Sequence, residues 1–392
     1  MKGIFMALRR LTVLLALVPL GFLGAAAKDE PFRYSEAKHG PAELRYINGL
    51  PVLTLAGTPE EIGAQSAALL AKPAARLFDY PLQFLKLYKV DATWRLFVNV
   101  GRSMVAQFPK DHRAEIESFI TNSGIDRDLV VTGNTMFDTK KFIACSTLIV
   151  EPQHSATKGP LLGRNLDFDT LGYLQDYSLV TVYHPKGKHA FASIGFPGFV
   201  GVLSGMNDAG LALAVLEVFF PGHEGGFDPK GVPYAMCYRR VLEECTTVEE
   251  AEKLLRSLHR TTTTNLAICD KKGGAVFEIT PKNIFVRKPE AGVCPCTNHF
   301  RSKDLAGSLR CRRYTALEET GKLPTIGIND LAKGLHAANQ DWLTLQTMVF
   351  EPAELKLHLA IGPCPTSALP MRELDLGPLL ASDPLAAGQG SK

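Results

Sequence analysis

Beyond its first 27 residues the sequence has no apolar run long enough to span a membrane and no excess of charge of either sign. Three of the 43 basic residues and none of the 40 acidic ones fall in that first stretch, so the remainder is balanced at 40 of each. A balanced chain without a basic tract has no electrostatic footprint for nucleic acid, and no nucleic-acid partner is expected. Familiar catalytic signatures are missing as well. There is no Gly-x-Ser-x-Gly elbow, no His-Glu-x-x-His, no Walker loop and no Gly-x-Gly-x-x-Gly after a strand. No cysteine precedes Cys145, and the eight present (Cys145, Cys237, Cys245, Cys269, Cys294, Cys296, Cys311 and Cys364) are too sparse for a disulfide scaffold. Any bridges supplement a hydrophobic core, and their pairing is not readable from sequence.

The excluded first stretch has a pattern of its own. Lys2, Arg9 and Arg10 precede an apolar run from Leu11 to Leu23, and Ala25-Ala26-Ala27 offers a small-residue cleavage site before Lys28-Asp29-Glu30. This is the layout of a cleavable signal peptide over residues 1–27, and it predicts a periplasmic or secreted protein, or one in a lysosome-like compartment if eukaryotic. No stable membrane span is expected. The remaining chain of about 365 residues suffices for a large core.

Residues 28–144 read as mostly helical after a strand pair at 44–47 and 51–55. Thr58-Pro59-Glu60-Glu61 supplies an N-cap, a first-turn proline and a capping-box glutamate. Further helices are expected at 91–108 and 111–122. From Cys145 the pattern turns to strands at 145–151, 160–166, 178–184, 189–194, 199–204 and 211–218, followed by helices at 233–244 and 247–258. Strands at 265–269, 274–280 and 292–297, helices at 313–320 and 328–337, and strands at 345–350 and 355–361 complete the sequence, with a frayed tail over 381–392. Strands, helices and strands again with hairpin-length turns indicate an α+β layered fold with mostly antiparallel sheets.

Chemistry concentrates around Cys145. It stands in Phe142-Ile143-Ala144-Cys145-Ser146-Thr147, with Gly163-Arg164-Asn165-Leu166-Asp167-Phe168 after a turn. A thiol is intrinsically a strong nucleophile but needs a base, and an α-amine with a pKa of ~7.7–8.0 can serve if the cysteine is itself N-terminal. The two segments together resemble the nucleophile region of cysteine-type N-terminal-nucleophile hydrolases, proenzymes that cut their own backbone before a cysteine. Gly57–Gly63 and Ser204–Leu211 extend the resemblance to the penicillin acyltransferase family, which is related to the acid ceramidase and N-acylethanolamine acid amidases and to the bile salt (choloylglycine) hydrolases.

The resemblance implies a four-layer αββα sandwich, cleavage between Ala144 and Cys145, and a heterodimer of the fragments 28–144 and 145–380. It further implies that Arg164 lies beside the thiol, Asp167 holds the free amine, Glu217 is a catalytic-site glutamate and Asn298, in Thr297-Asn298-His299-Phe300, donates to an oxyanion. Asn207 in its turn, and Arg313 among Arg310, Arg312 and Arg313, are the implied substrate-binding residues. The chain departs from the family at Ala144, where relatives carry Gly. The implied reaction is hydrolysis of a linear amide in a small N-acyl substrate through an acyl-enzyme, with no cofactor and no metal. Three alternatives stay open: an acyltransferase using an acyl thioester, a Cys–His peptidase using His299, and a non-catalytic binding protein. Cys294-Pro295-Cys296 with His299 is too closely spaced for a zinc site.

Overall fold

The computed structural model describes residues 30–139, 143–219, 226–306, 310–381 and 384–387. The expected signal peptide and most of the expected frayed tail lie outside the described residues. Among the described residues no helix is long and apolar enough to cross a membrane.

Three strands come first among the described residues, β1 (Ala37–His39), β2 (Ala42–Ile47) and β3 (Leu50–Gly57). Five helices follow: α1 (Pro59–Phe78), α2 (Tyr80–Leu87), α3 (Trp94–Val105), α4 (Lys110–Ser123) and α5 (Arg127–Thr139). The start of α1 is the expected capping box. Glu61 N–H donates to Thr58 Oγ1 at 3.3 Å, and Thr58 N–H donates to Glu61 Oε2 at 2.7 Å. Helix α1 lies so close to α4 that a Cβ on Gly63 would stand 2.3 Å from the Glu115 carbonyl oxygen, which is why this turn of α1 needs a glycine.

The remaining chain begins with β4 (Ala144–Val150), β5 (Leu161–Asp167), β6 (Leu179–Pro185), β7 (Phe191–Gly195), β8 (Ser204–Asn207) and β9 (Ala212–Glu217). Helices α6 (Tyr234–Glu244) and α7 (Val248–Ser257) lead to β10 (Thr264–Cys269), β11 (Gly274–Ile279), β12 (Ile284–Arg287) and β13 (Val293–Cys296). Helices α8 (Arg312–Gly321) and α9 (Ile328–Ala337) come next, then β14 (Thr344–Glu351), β15 (Lys356–Ile361) and β16 (Arg372–Asp375).

The strands form two sheets. One has ten strands in the order β1-β2-β3-β6-β7-β8-β9-β10-β11-β12, the other six in the order β13-β4-β5-β14-β15-β16. Every pairing is antiparallel except β3 with β6. That parallel pair sews the amino-terminal region into the large sheet, so it is not a separate domain. The sheets face each other through β4 and β5 against β9 and β10, with α8 and α9 outside the small sheet and α1, α6 and α7 outside the large one. The architecture is the α+β, four-layer αββα sandwich.

Burial on both faces explains the strand pattern. Cys145 and Ile149 of β4 pack into the core between the sheets, whereas Leu148 and Val150 join the core under α8 and α9 with Leu317, Leu331 and Leu335. Gly163 of β5 belongs to the latter face, where a Cβ would meet the Leu331 side chain at 2.8 Å. All eight cysteines are free thiols.

Candidate active site

Cys145 is the second residue of β4 and lies fully buried, paired across β4–β5 with Leu166. Thr147 faces Arg164 and Ala144 faces Asp167 in the same register. Directly paired residues share a face, so Arg164 extends on the inter-sheet side with Cys145, and Asp167 on the side of α8. The two charges therefore reach the strand end from opposite faces, although only three residues separate them.

The backbone around the nucleophile is held by side chains from distant elements. Cys145 N–H donates to Asn298 Oδ1 at 2.7 Å, and Asn298 Nδ2 donates to the Ile143 and Glu217 carbonyls at 3.0 and 2.8 Å. Ile143 N–H donates to Glu217 Oε2 at 2.9 Å. Arg313 Nη1 donates to the Cys145 carbonyl and, at 2.9 Å, to Asn298 Oδ1. Residues 143–145 are thus clamped by Asn298, Glu217 and Arg313. Asn298 reaches them because β13 pairs with β4 as far as Cys296 with Thr147, and the chain continues two residues further alongside Cys145.

The charges are unevenly matched. Arg164 is completely buried and donates through Nη1 to the Val215 carbonyl at 2.7 Å, while its Nε and Nη2 have no geometrically sound partner. Asp167 Oδ1 accepts from Thr344 Oγ1 at 2.6 Å, but Oδ2 has no hydrogen bond and lies 3.8 Å from Arg313 Nη1. Burial pushes the Asp167 carboxyl up to about 6, against the opposing pull of Thr344, Arg313 and Arg164. Burial also pushes the Cys145 thiol up to about 11; Arg164 works against that rise, and Asp167 and Glu217 add to it. The thiol is therefore protonated at neutral pH.

Two members of this cluster carry no motif of their own. Thr344 faces Asp167 at a register shift between Thr344 and Gln346, a bulge that turns its hydroxyl onto the carboxylate. Tyr234, the first residue of α6, donates its hydroxyl to Glu217 Oε1 at 2.8 Å. Only the strand pairing and the docking of α6 bring them in, and no local sequence signal marks either.

Asn207 is not brought to the site. Its Nδ2 donates to the Leu242 and Cys245 carbonyls at 3.0 and 2.7 Å, and its Oδ1 accepts from Leu211 N–H at 2.9 Å. The following strand, β9, then runs from Ala212 to Glu217, a span of roughly 20 Å at ~3.3 Å per residue. Asn207 closes a hairpin at the far end of β8 and ties it to α6, and the expected substrate-binding role gives way to a structural one. His299 lies beside Thr297 and Cys311 instead of Cys145, with Thr297 Oγ1 2.9 Å from its Nδ1. That removes the geometric basis for a Cys145–His299 peptidase dyad. Among the described residues no group of three or more His, Cys, Asp or Glu side chains could hold a metal ion.

An apolar pocket opens beside Phe168, the residue after Asp167. Phe168 lines it together with Tyr80, Met136, Phe137, Phe196 and Phe199. Phe137 meets Phe168 and Phe199 edge-on at centroid distances of 5.7 and 5.2 Å. The amino-terminal helices α2 and α5 and the carboxy-terminal region both contribute to this wall.

A family described as acyl-coenzyme A:6-aminopenicillanic acid acyl-transferase matches residues 155–322, a segment that holds Arg164, Asp167, Glu217, Asn298 and Arg313. Residues 155–322 are thus similar to that family; the matched segment begins ten residues after Cys145.

Two curated relatives are Protein dcd1A of Dictyostelium discoideum, 24% identical over 253 residues, and a protein of Archaeoglobus fulgidus described as uncharacterized, 23% identical over 272 residues. The alignments take in 57% and 61% of this chain and 56% and 45% of those proteins, so the chain spans about half the length of the curated relatives it matches. Solved structures with some likeness include a Caenorhabditis elegans N-acylethanolamine-hydrolyzing acid amidase ortholog, at 17% identity and TM-score 0.42 over 53% of this chain and 93% of that one. Another is a mutant of the conjugated bile acid hydrolase from Clostridium perfringens, at 14% identity and TM-score 0.41 over 62% of this chain and 94% of that one.

Proposed function

We propose that this protein is an exported, self-processing amidohydrolase that cuts its own chain between Ala144 and Cys145 and then hydrolyses a small N-acyl amide. The observation that carries the reading is the clamp on residues 143–145 near a buried carboxylate oxygen of Asp167 that accepts no hydrogen bond and has only the Arg313 charge 3.8 Å away. A clamp of this kind fixes the scissile peptide against the thiol, and fixed geometry is worth several powers of ten in rate.

Cleavage would convert the Cys145 amide nitrogen into an α-amine placed to pair with Asp167 Oδ2. That amine, with a pKa of ~7.7–8.0, would take the thiol proton. Arg164 would steady the thiolate from the inter-sheet side. Departure of the Ile143 carbonyl would free one Asn298 N–H, which could then donate to the oxyanion of a substrate carbonyl. The C–N bond would break as the α-ammonium returns that proton to the departing amine, and water would then release the acyl group from Cys145 Sγ as the free acid. The aromatic and methionine wall at Phe168, Phe137 and Met136 favours an apolar acyl group. The two fragments would stay together as a heterodimer, because β3 and β6 belong to one sheet.

A second reading, transfer of the acyl group from a thioester to an amine, is favoured by the description of the matched family and uses the same residues. Intact mass and amino-terminal sequencing of wild type beside Cys145→Ala test the proposal. A fragment beginning at Cys145 is expected in wild type only, and an uncut wild-type chain that still hydrolyses amides refutes the mechanism. Product analysis with and without an amine acceptor separates hydrolysis from transfer.

A further inference from the structure

A second cysteine, Cys311, sits in a polar setting that the proposed reaction does not use. It is the residue preceding α8 and is half-exposed, whereas six of the other cysteines are buried. Its Sγ lies 3.6 Å from Thr297 Oγ1, which in turn is 2.9 Å from His299 Nδ1. The His299 ring is within hydrogen-bonding reach of the sulfur. His299 is only 9% exposed, and its Nε2 has no hydrogen-bond partner. On the solvent side Cys311 opens into a surface cleft lined also by Arg301, Arg310, Arg312, Glu318 and Glu319.

We propose that Cys311 is a second reactive thiol of this protein, a modification site at which low-molecular-weight disulfides form a mixed disulfide. In the reaction the Cys311 thiolate attacks one sulfur of the reagent and its S–S bond breaks. A new S–S bond forms to Cys311, and the other half leaves as a thiolate that takes a proton from solvent. The disulfide is the oxidant, and no further co-reactant is needed.

Three features suit the site to this chemistry. Access comes from the cleft. Activation comes from the environment: partial burial alone would raise the thiol, but His299, the Tyr314 backbone N–H in the first turn of α8, Thr297 and the Arg313 charge bring it down to about 6. The third feature is contrast with Cys364, the other half-exposed cysteine, which burial, Asp176 and Asp167 push up to about 11. At pH 7 these positions differ by about four powers of ten in thiolate fraction. The lower nucleophilicity of a low-pKa thiolate returns about two of them, leaving an advantage of about 30- to 100-fold for Cys311. An adduct at Cys311 would bear on the first turn of α8, which delivers Arg313 to the Cys145 carbonyl.

The test uses full-length Cys145→Ala protein, so that the proposed nucleophile is out of the count and the outcome does not depend on any activity. It is treated with glutathione disulfide at pH 5–9, and each cysteine is followed by peptide mass. Cys311 is expected to take the first glutathionyl group, about 30- to 100-fold faster than Cys364 at pH 7. The rate should rise through a midpoint near 6, and dithiothreitol should reverse the adduct. In the His299→Ala version the midpoint should move up by a unit or more. Labelling of Cys311 no faster than Cys364, or a rate that climbs only above pH 8, overturns the proposal. An unchanged midpoint in the His299→Ala version overturns the pairing with the imidazole.

Discussion

Cleavage before Cys145 should change how folding stability depends on pH, because Asp167 has opposite surroundings before and after the cut. In the uncut chain its carboxyl is buried, has one hydrogen bond from Thr344 and at Oδ2 only the Arg313 charge 3.8 Å away, and titrates at about 6 instead of 3.8. A raised carboxyl binds its proton more tightly in the folded state. The stability it contributes is therefore complete below the unfolded value and is lost as pH rises through the folded one. A shift of about two units at ~1.36 kcal/mol each makes the loss about 3 kcal/mol between pH 4 and pH 7.

The assay is urea unfolding of Cys145→Ala, which stays uncut, beside the Cys145→Ala/Asp167→Ala double variant, at several pH values from 4 to 8. Constant costs of the second substitution cancel when the difference between the two proteins is followed against pH. That difference should move by about 3 kcal/mol in favour of the double variant as pH rises, and most of the movement should fall between 4 and 6. On the proposed mechanism the new ammonium of the cleaved wild type would face Oδ2, so the same comparison with Asp167→Ala should lose this slope or reverse it. A flat difference in the uncut protein refutes the burial argument. An equal slope before and after cleavage refutes the placement of the amine.

Asn298→Ala should leave the Ile143 and Glu217 carbonyls and the Cys145 N–H without their partner. Uncut chain is expected to accumulate, and turnover of the cleaved fraction should fall about 10²- to 10³-fold, as read by gel densitometry and amide hydrolysis. Arg239→Met should cost about 3–5 kcal/mol in urea unfolding, because it strips the bidentate partner from buried Glu115 of α4 and a hydrogen bond from Glu243. Since Glu115 and Arg239 lie on opposite sides of the cleavage point, the fragments of that variant should also separate earlier in urea during size-exclusion chromatography. Gly63→Ala should destabilise by about 1–3 kcal/mol in thermal unfolding, because the added methyl meets a backbone oxygen of α4 that has no room to yield.

The elements read correctly from sequence are those whose signals are local. The cap at Thr58, the strand pairs at β2–β3 and β4–β5, and helix α9 all carry their own periodicity and end residues. Helix α5 was not legible, because Thr132-Gly133-Asn134-Thr135 is a poor helix former. Its context overrides that propensity: Gly133 lets Phe78 pack against the backbone, and Asn134 Nδ2 donates to the Gly198 carbonyl at 3.1 Å. The apolar run at 199–204 reads as a strand but is a loop up to Leu203, whose backbone is satisfied from elsewhere. Val200 N–H donates to Asn134 Oδ1 and Val202 N–H to the Ala235 carbonyl. Short strands β12 and β16, at the sheet edges, had too few residues to show alternation.

The site follows the same division. Arg164 and Asp167 lie near Cys145 because a hairpin returns them to it, whereas the choice among Arg310, Arg312 and Arg313 was not legible: only the start of α8 turns Arg313 to the Cys145 carbonyl and Arg312 to the Asn339 carbonyl. Asn207 misled because an Asn-Asp-Ala-Gly turn marks a hairpin whether or not a substrate lies nearby.

The fold leaves polar groups beside Cys145 poorly matched. Buried polar groups almost always find partners, since an unmade hydrogen bond in the interior costs about 1–3 kcal/mol. Yet this chain leaves a carboxylate oxygen of Asp167 with only the Arg313 charge 3.8 Å away, and two guanidinium nitrogens of Arg164 with no acceptor better than the Cys145 sulfur, on opposite faces of the strand end that carries Cys145. A protonated thiol is a weak acceptor and a neutral peptide brings no second cation, so both demands are met only in part. A thiolate and an ammonium on the same residue would meet both, the anion beside Arg164 and the cation beside Asp167. On the proposed mechanism the site is complementary to the product of cleavage and not to the uncut chain, so the cut would relieve a cost that folding has left in place. Chemical acylation of the new α-amine should then restore the defect at Asp167 while leaving the sandwich intact, a result that ordinary loss of packing would not produce.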